Sequence, residues 1–233
     1  MSVDPLVLMT DVEQATERLL RTAEEMDDAA VGEPSLLPGW TRGHVLTHLA
    51  RQADAMTNLL TWARTGVETP AYPSAQARVD GIEAGAGRPV AEQAADIRAA
   101  HERMADAAAA MSGEAWTFVI PTRKQPAAAL PWVRLREVEV HHVDLGLAYT
   151  PEEWSDGFAL RLLREIVGGT PAPDMVLRPY GLAHPLTIGT PTDASPTVGG
   201  PTRALAAWLA GRGDGAGLTV SPDGKLPTTG AWM

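Results

Sequence analysis

Glu137 and His141 lie in the run Arg136-Glu137-Val138-Glu139-Val140-His141-His142-Val143-Asp144 and share one face if that segment is helical. An earlier run, Gly39-Trp40-Thr41-Arg42-Gly43-His44-Val45-Leu46-Thr47-His48, offers His48 from a second helix. Two imidazoles and a carboxylate on facing helices suit a divalent metal, and three protein ligands leave positions open for chemistry. The segment 131–148 has Val133, Leu135, Val138, Val140, Val143 and Leu145 at mixed spacings of two and three, which fit neither period cleanly. Its length, and Gly146 near its end, favour a helix. A strand would also put Glu137, Glu139 and His141 on one face.

The rest of the chain supplies partners for such a helix. Asp4-Pro5 opens a first helix, with Leu8, Val12, Ala15, Leu19 and Met26 at helical spacing. A second runs from near Thr41 to about Arg64 and closes at Gly66, with Val45, Leu49, Met56 and Leu60 on its buried side. Residues 67–88, punctuated by Pro70, Pro73, Gly81, Gly85 and Gly87, read as a long and mostly irregular connection. A third helix spans about 89–111, and Trp116 to Ile120 could form a strand or bridge. After Thr150 the texture changes. A helix over about 155–168 is followed by the short apolar runs Met175–Leu177, Leu186–Ile188 and Leu218–Val220, which read as strands. A helix over 201–210 lies between the last two. The expected fold is α plus α/β: a metal-binding four-helix bundle over 1–150 and a smaller α/β domain over 151–233.

Composition narrows the chemistry. The 233 residues include no cysteine, so any metal sits on His, Asp and Glu, and any thiol chemistry uses a borrowed thiol. A formal charge of -10 argues against binding a phosphate backbone. No apolar run approaches the length of a membrane span, and the N-terminus, MSVDPLVLMTDVEQ, lacks the basic region of a signal peptide. The chain therefore reads as soluble and cytoplasmic, and a monomer acting on a small-molecule substrate is expected.

Each site residue also has a plainer role. His48 shares a face with Val45, Leu49 and Gln52, so it could be a core histidine bonded to a carbonyl. His44, four residues earlier, is a rival ligand. His142 points about 100° from His141 on a helix and cannot easily face the same ion. Glu139 falls on the side away from Glu137 and is expected in solvent. Asp144 lies on the Glu137–His141 stripe, where it would orient a ligand imidazole. Trp40, like Trp62, Trp132, Trp154 and Trp208, is read as packing. Arg212, beside Gly211 and Gly213 at a helix end, could grip a carboxylate bidentately, or could simply be solvated.

The Gly39-Trp40-Thr41 lead to His48 and the Glu137-x-x-x-His141-His142-Val143-Asp144-Leu145 run resemble the mycothiol-dependent maleylpyruvate isomerases of the DinB-like metal-binding superfamily. The likeness spans the chain. It implies a DinB-like bundle with a smaller C-terminal α/β domain, zinc on His48, Glu137 and His141, and mycothiol as the thiol. It also implies a site arginine in the C-terminal domain, matched best by Arg212, with Arg203 the alternative. The implied reaction is addition of a thiolate to the cis alkene of maleylpyruvate, rotation about the resulting single bond, and elimination to trans fumarylpyruvate. The same motifs occur in mycothiol S-transferases acting on other electrophiles. A non-catalytic metal-binding protein and a carrier of apolar ligands are the readings from other classes.

Overall fold

The computed structural model describes residues 4–169 and 172–229. The first three residues of the N-terminal stretch and the last four of the C-terminal unit lie outside the described residues. The chain forms two compact units, Met1–Leu147 and Ala148–Met233.

Four long helices build the first unit: α1 (Pro5–Glu24), α3 (Arg42–Thr65), α5 (Val90–Ala109) and α7 (Leu130–Asp144), with short α2 (Asp28–Val31) between the first two. α1 packs on α5 and α7, and α3 packs on the same two, so α5 and α7 each bridge the other pair. The core joins Leu8, Val12 and Leu19 to Leu49, Leu59, Ile97, Met104 and Val138, all essentially inaccessible. Local chemistry sets the ends. Asp4 accepts from the Leu6 amide with Pro5 in the first turn, and Gly66 closes α3 in the left-handed region.

α7 explains its own poor periodicity. Its side chains are buried all round the helix, with only Arg136 and Glu137 partly exposed. An amphipathic stripe therefore does not form. The same fact corrects the reading of Glu139. It is 4% exposed, and its carboxylate accepts from Arg18 Nη2 of α1 at 2.6 Å.

Two further expectations fail. Residues 67–88 are not mostly irregular, since they contain helix α4 (Ala75–Ala86), capped by Ser74 Oγ accepting from the Ala77 amide at 3.0 Å. One of its glycines, Gly85, serves close packing rather than breaking the helix. A Cβ at Gly85 would stand 2.8 Å from Thr47 Oγ1 on α3, and one at Gly43 would meet the Ala86 carbonyl. Trp116 belongs to a short helix, α6 (Gly113–Thr117), and only β1 (Val119–Ile120) is extended, paired antiparallel with β2 (Gln125–Pro126).

In the second unit α8 (Asp156–Gly169) is followed by β3 (Met175–Pro179), β4 (Leu186–Ile188), β5 (Thr197–Gly200), α9 (Thr202–Leu209) and β6 (Thr219–Ser221). The sheet order is β4-β3-β5-β6, with β3 and β5 parallel and both outer pairings antiparallel. α8 and α9 pack on each other, α8 against β4 and α9 against β3 and β5. The fold is thus α plus α/β, as the sequence indicates. β5 escaped notice because two of its four residues are glycine, a weak strand signal. No helix among the described residues is long and apolar enough to cross a membrane.

Candidate metal centre

α3 and α7 face each other, and this brings His48, Glu137 and His141 together. Each offers one ligand atom, and the three atoms lie within 4.8 Å of one another. His48 Nε2 is 3.1 Å and His141 Nε2 3.5 Å from the same oxygen, Glu137 Oε2. Ligands bound to a tetrahedral zinc at about 2 Å stand roughly 3.3 Å apart. The donor set therefore fits a divalent ion, and the absence of cysteine leaves it all nitrogen and oxygen. The two imidazoles meet edge to face, centroids 4.9 Å apart. Both are almost fully buried, while the Glu137 side chain keeps 14% exposure. The cluster thus reaches solvent on the carboxylate side.

Electrostatics prepares His48 and Glu137 for a metal and leaves a proton to compete at His141. Burial lowers the His48 pKa despite its hydrogen bond to Glu137, leaving that ring neutral. Burial alone would raise Glu137, but hydrogen bonds with His141 and His48 win and hold it well below the usual carboxylate range. Burial would likewise lower His141, but hydrogen bonds to Asp144 and Glu137 raise it instead. Asp144 Oδ2 lies 2.8 Å from His141 Nδ1, the orienting role its place on the stripe suggested.

The other histidines are engaged elsewhere. His44 closes a capping box at the start of α3: its Nδ1 accepts from the Thr41 amide at 3.2 Å while Thr41 Oγ1 accepts from the His44 amide at 3.4 Å. His142 Nε2 meets Thr22 Oγ1 of α1 at 2.8 Å. Trp40 does more than pack at the start of α3. It stacks on His44 and sets its ring edge on to His48, centroids 5.6 Å apart. In the second unit, half-buried Arg212 donates through Nη1 to the Ala210 carbonyl at 2.7 Å. Arg203 pairs with Asp156 at 2.9 Å.

Three residues near the cluster were not anticipated. Arg134, one turn before Glu137, is fully buried and donates from Nη1 to the Leu49 carbonyl and to Gln52 Oε1. Burial lowers its pKa to about 10, against the pull of Glu137. Arg78 on α4 reaches His48 Nδ1 at 3.4 Å and lies over Tyr72, 6.0 Å from the ring centre. Arg78 and Tyr72 fall in the stretch taken as irregular, so no helical face could be assigned to either.

A family model described as the mycothiol maleylpyruvate isomerase N-terminal domain matches residues 12–146. Among solved structures, the chain is similar to a crystal structure of the mycothiol-dependent maleylpyruvate isomerase, with a TM-score of 0.87 and 30% identity over 99% of this chain and 98% of that one. A mutant of that isomerase with one histidine replaced by alanine gives a TM-score of 0.88 at 30% identity and the same coverage. No curated protein sequence matches significantly.

Proposed function

The chain belongs to the mycothiol maleylpyruvate isomerase family, and we propose that it converts maleylpyruvate to fumarylpyruvate with mycothiol at a zinc centre on His48, Glu137 and His141. The observation that carries this reading is the convergence of three ligand atoms within 4.8 Å, from two helices, in a chain with no thiol of its own. A divalent metal held there supplies Lewis acidity, lowering the pKa of a coordinated thiol or polarising a carbonyl. Mycothiol supplies the sulfur that adds reversibly to the alkene.

The chain's own residues prepare this chemistry. Asp144 accepts a hydrogen bond from His141 Nδ1 and thereby presents Nε2, on the Glu137 side, as the atom that would bind the ion. Glu137 stays ionised and balances positive charge in the cluster. Trp40 packs its ring against one side of His48. Arg212 is assigned to a substrate carboxylate, because a guanidinium matches it bidentately. Arg212 donates to the Ala210 carbonyl, and Arg203, the alternative, to Asp156 and the Glu152 carbonyl.

The test is direct assay of maleylpyruvate with the zinc-loaded protein, with and without mycothiol. Fumarylpyruvate formed only when the thiol is present supports the isomerase. A stable thiol–substrate adduct as the end product would instead make the chain a mycothiol S-transferase.

A further inference from the structure

Arg78 lies against a histidine of the candidate cluster. In a chain of net charge -10, Arg18, Arg51, Arg88, Arg98 and Arg103 each pair with a carboxylate. Arg78 does not: among the described residues its contacts are the His48 ring and Tyr72. It is half-buried, beside the metal ligands, on a helix locked to α3 by glycine contacts. A guanidinium has five donors and no acceptor, and here no anion satisfies it.

Its neighbours reinforce the point. Arg134 is fully buried, and its Nε and Nη2 have no hydrogen-bond partner. The Tyr72 hydroxyl is a donor beside the guanidinium, and burial moves its pKa further up against the charge of Arg78. The Arg78 guanidinium meets His48 at Nδ1, 3.4 Å away, while the other ring nitrogen faces Glu137, so the remaining donors of the guanidinium are left for a ligand.

The geometry points to a carboxylate subsite formed by the Arg78 guanidinium and the Tyr72 hydroxyl, beside the metal ligands, which takes one of the two carboxylates of the substrate. It rests on the isomerase reading for the identity of that substrate. The fork of a guanidinium matches the two oxygens of a carboxylate bidentately, which a single thiolate sulfur cannot offer.

Isothermal titration of maleate into zinc-loaded wild type, Arg78→Met, Arg78→Lys and Tyr72→Phe tests this, with zinc content measured on every sample. The subsite predicts that Arg78→Met keeps its zinc and binds maleate about ten- to a hundredfold more weakly. Arg78→Lys should fall between, because a point charge cannot reproduce the fork. Tyr72→Phe should lose about three- to tenfold. Wild-type protein that does not bind maleate, or unchanged affinity in Arg78→Met, overturns the subsite. So does zinc loss from Arg78→Met with Tyr72→Phe unaffected, which would make Arg78 a prop for His48. If Arg78→Met does not fold, Arg78→Lys and Tyr72→Phe decide on the same terms. Turnover separates the two claims. Isomerisation by wild type with an unchanged KM in Tyr72→Phe sinks only the subsite, and maleate binding through Arg78 without isomerisation sinks only the isomerase.

Discussion

Asp144 Oδ2 lies 2.8 Å from His141 Nδ1, and because an ionised carboxylate only accepts, that nitrogen must carry the ring proton. The relationship fixes the tautomer of His141 and leaves Nε2 as its ligand atom. Replacing Asp144 with Asn should therefore weaken zinc binding by about 10- to 100-fold with the fold intact. Competition against a chromogenic chelator reads the affinity, and circular dichroism reads the fold. Unchanged affinity would show that Asp144 has no hold on the ligand.

Zinc affinity should also fall with acidity in a defined way. The metal needs neutral imidazoles. His48 is already lowered and Glu137 is ionised well below neutrality, so neither competes strongly for protons near pH 6–7. His141 is raised, so its proton competes first. As pH drops below the His141 value, affinity should decline by about tenfold per pH unit, one proton displaced per metal. Above that value it should level off. Titrations between pH 5.5 and 8 check this, and a flat profile would contradict it.

Without metal, the same shifts have opposite effects on stability. The raised His141 contributes stability that is complete below its unfolded value and is lost as pH rises through its folded one. The depressed Glu137 contributes stability present above its unfolded value and lost as pH falls through its folded one. Chelated protein should thus keep its helix content near neutrality but melt at a lower temperature than the zinc form. Calorimetry with and without chelator measures the gap. Equal melting points would mean that the folded state does not bind the ion.

The sequence made the candidate cluster legible because His48, Glu137 and His141 lie on continuous helices, where spacing converts directly into facing. Glu137 and His141 are one turn apart on α7, and His48 faces them from α3. What stayed hidden depends on burial and long-range pairing. Glu139 reads as solvated only if α7 has a wet face, and it has none, so Arg18 from α1 was needed to neutralise it. α4 looked irregular because Gly81 and Gly85 resemble breakers until Thr47 is seen against Gly85. Missing α4 meant missing Arg78.

The Arg18–Glu139 pair yields a prediction about stability alone. Arg18→Met would take one charged hydrogen bond from a buried carboxylate, at a cost of about 1–3 kcal/mol. Zinc affinity should be unchanged, since Glu139 is not part of the ligand cluster. Urea unfolding monitored alongside zinc titration separates the two effects.

Close packing of α3 on α4 should be equally intolerant of added volume. Gly43→Ala drives a methyl into the Ala86 carbonyl and brings it 2.7 Å from Val31 Cγ1. The expected cost is about 1–3 kcal/mol. Neutral stability on urea unfolding would mean that α4 is not held where it presents Arg78 to His48.

The most direct measurement takes wild type and His48→Ala through zinc analysis and maleylpyruvate turnover with mycothiol in one series. The account predicts about one bound zinc and thiol-dependent fumarylpyruvate formation for wild type, with both lost in His48→Ala while its circular dichroism spectrum stays helical. Normal turnover by a metal-free His48→Ala protein would contradict it.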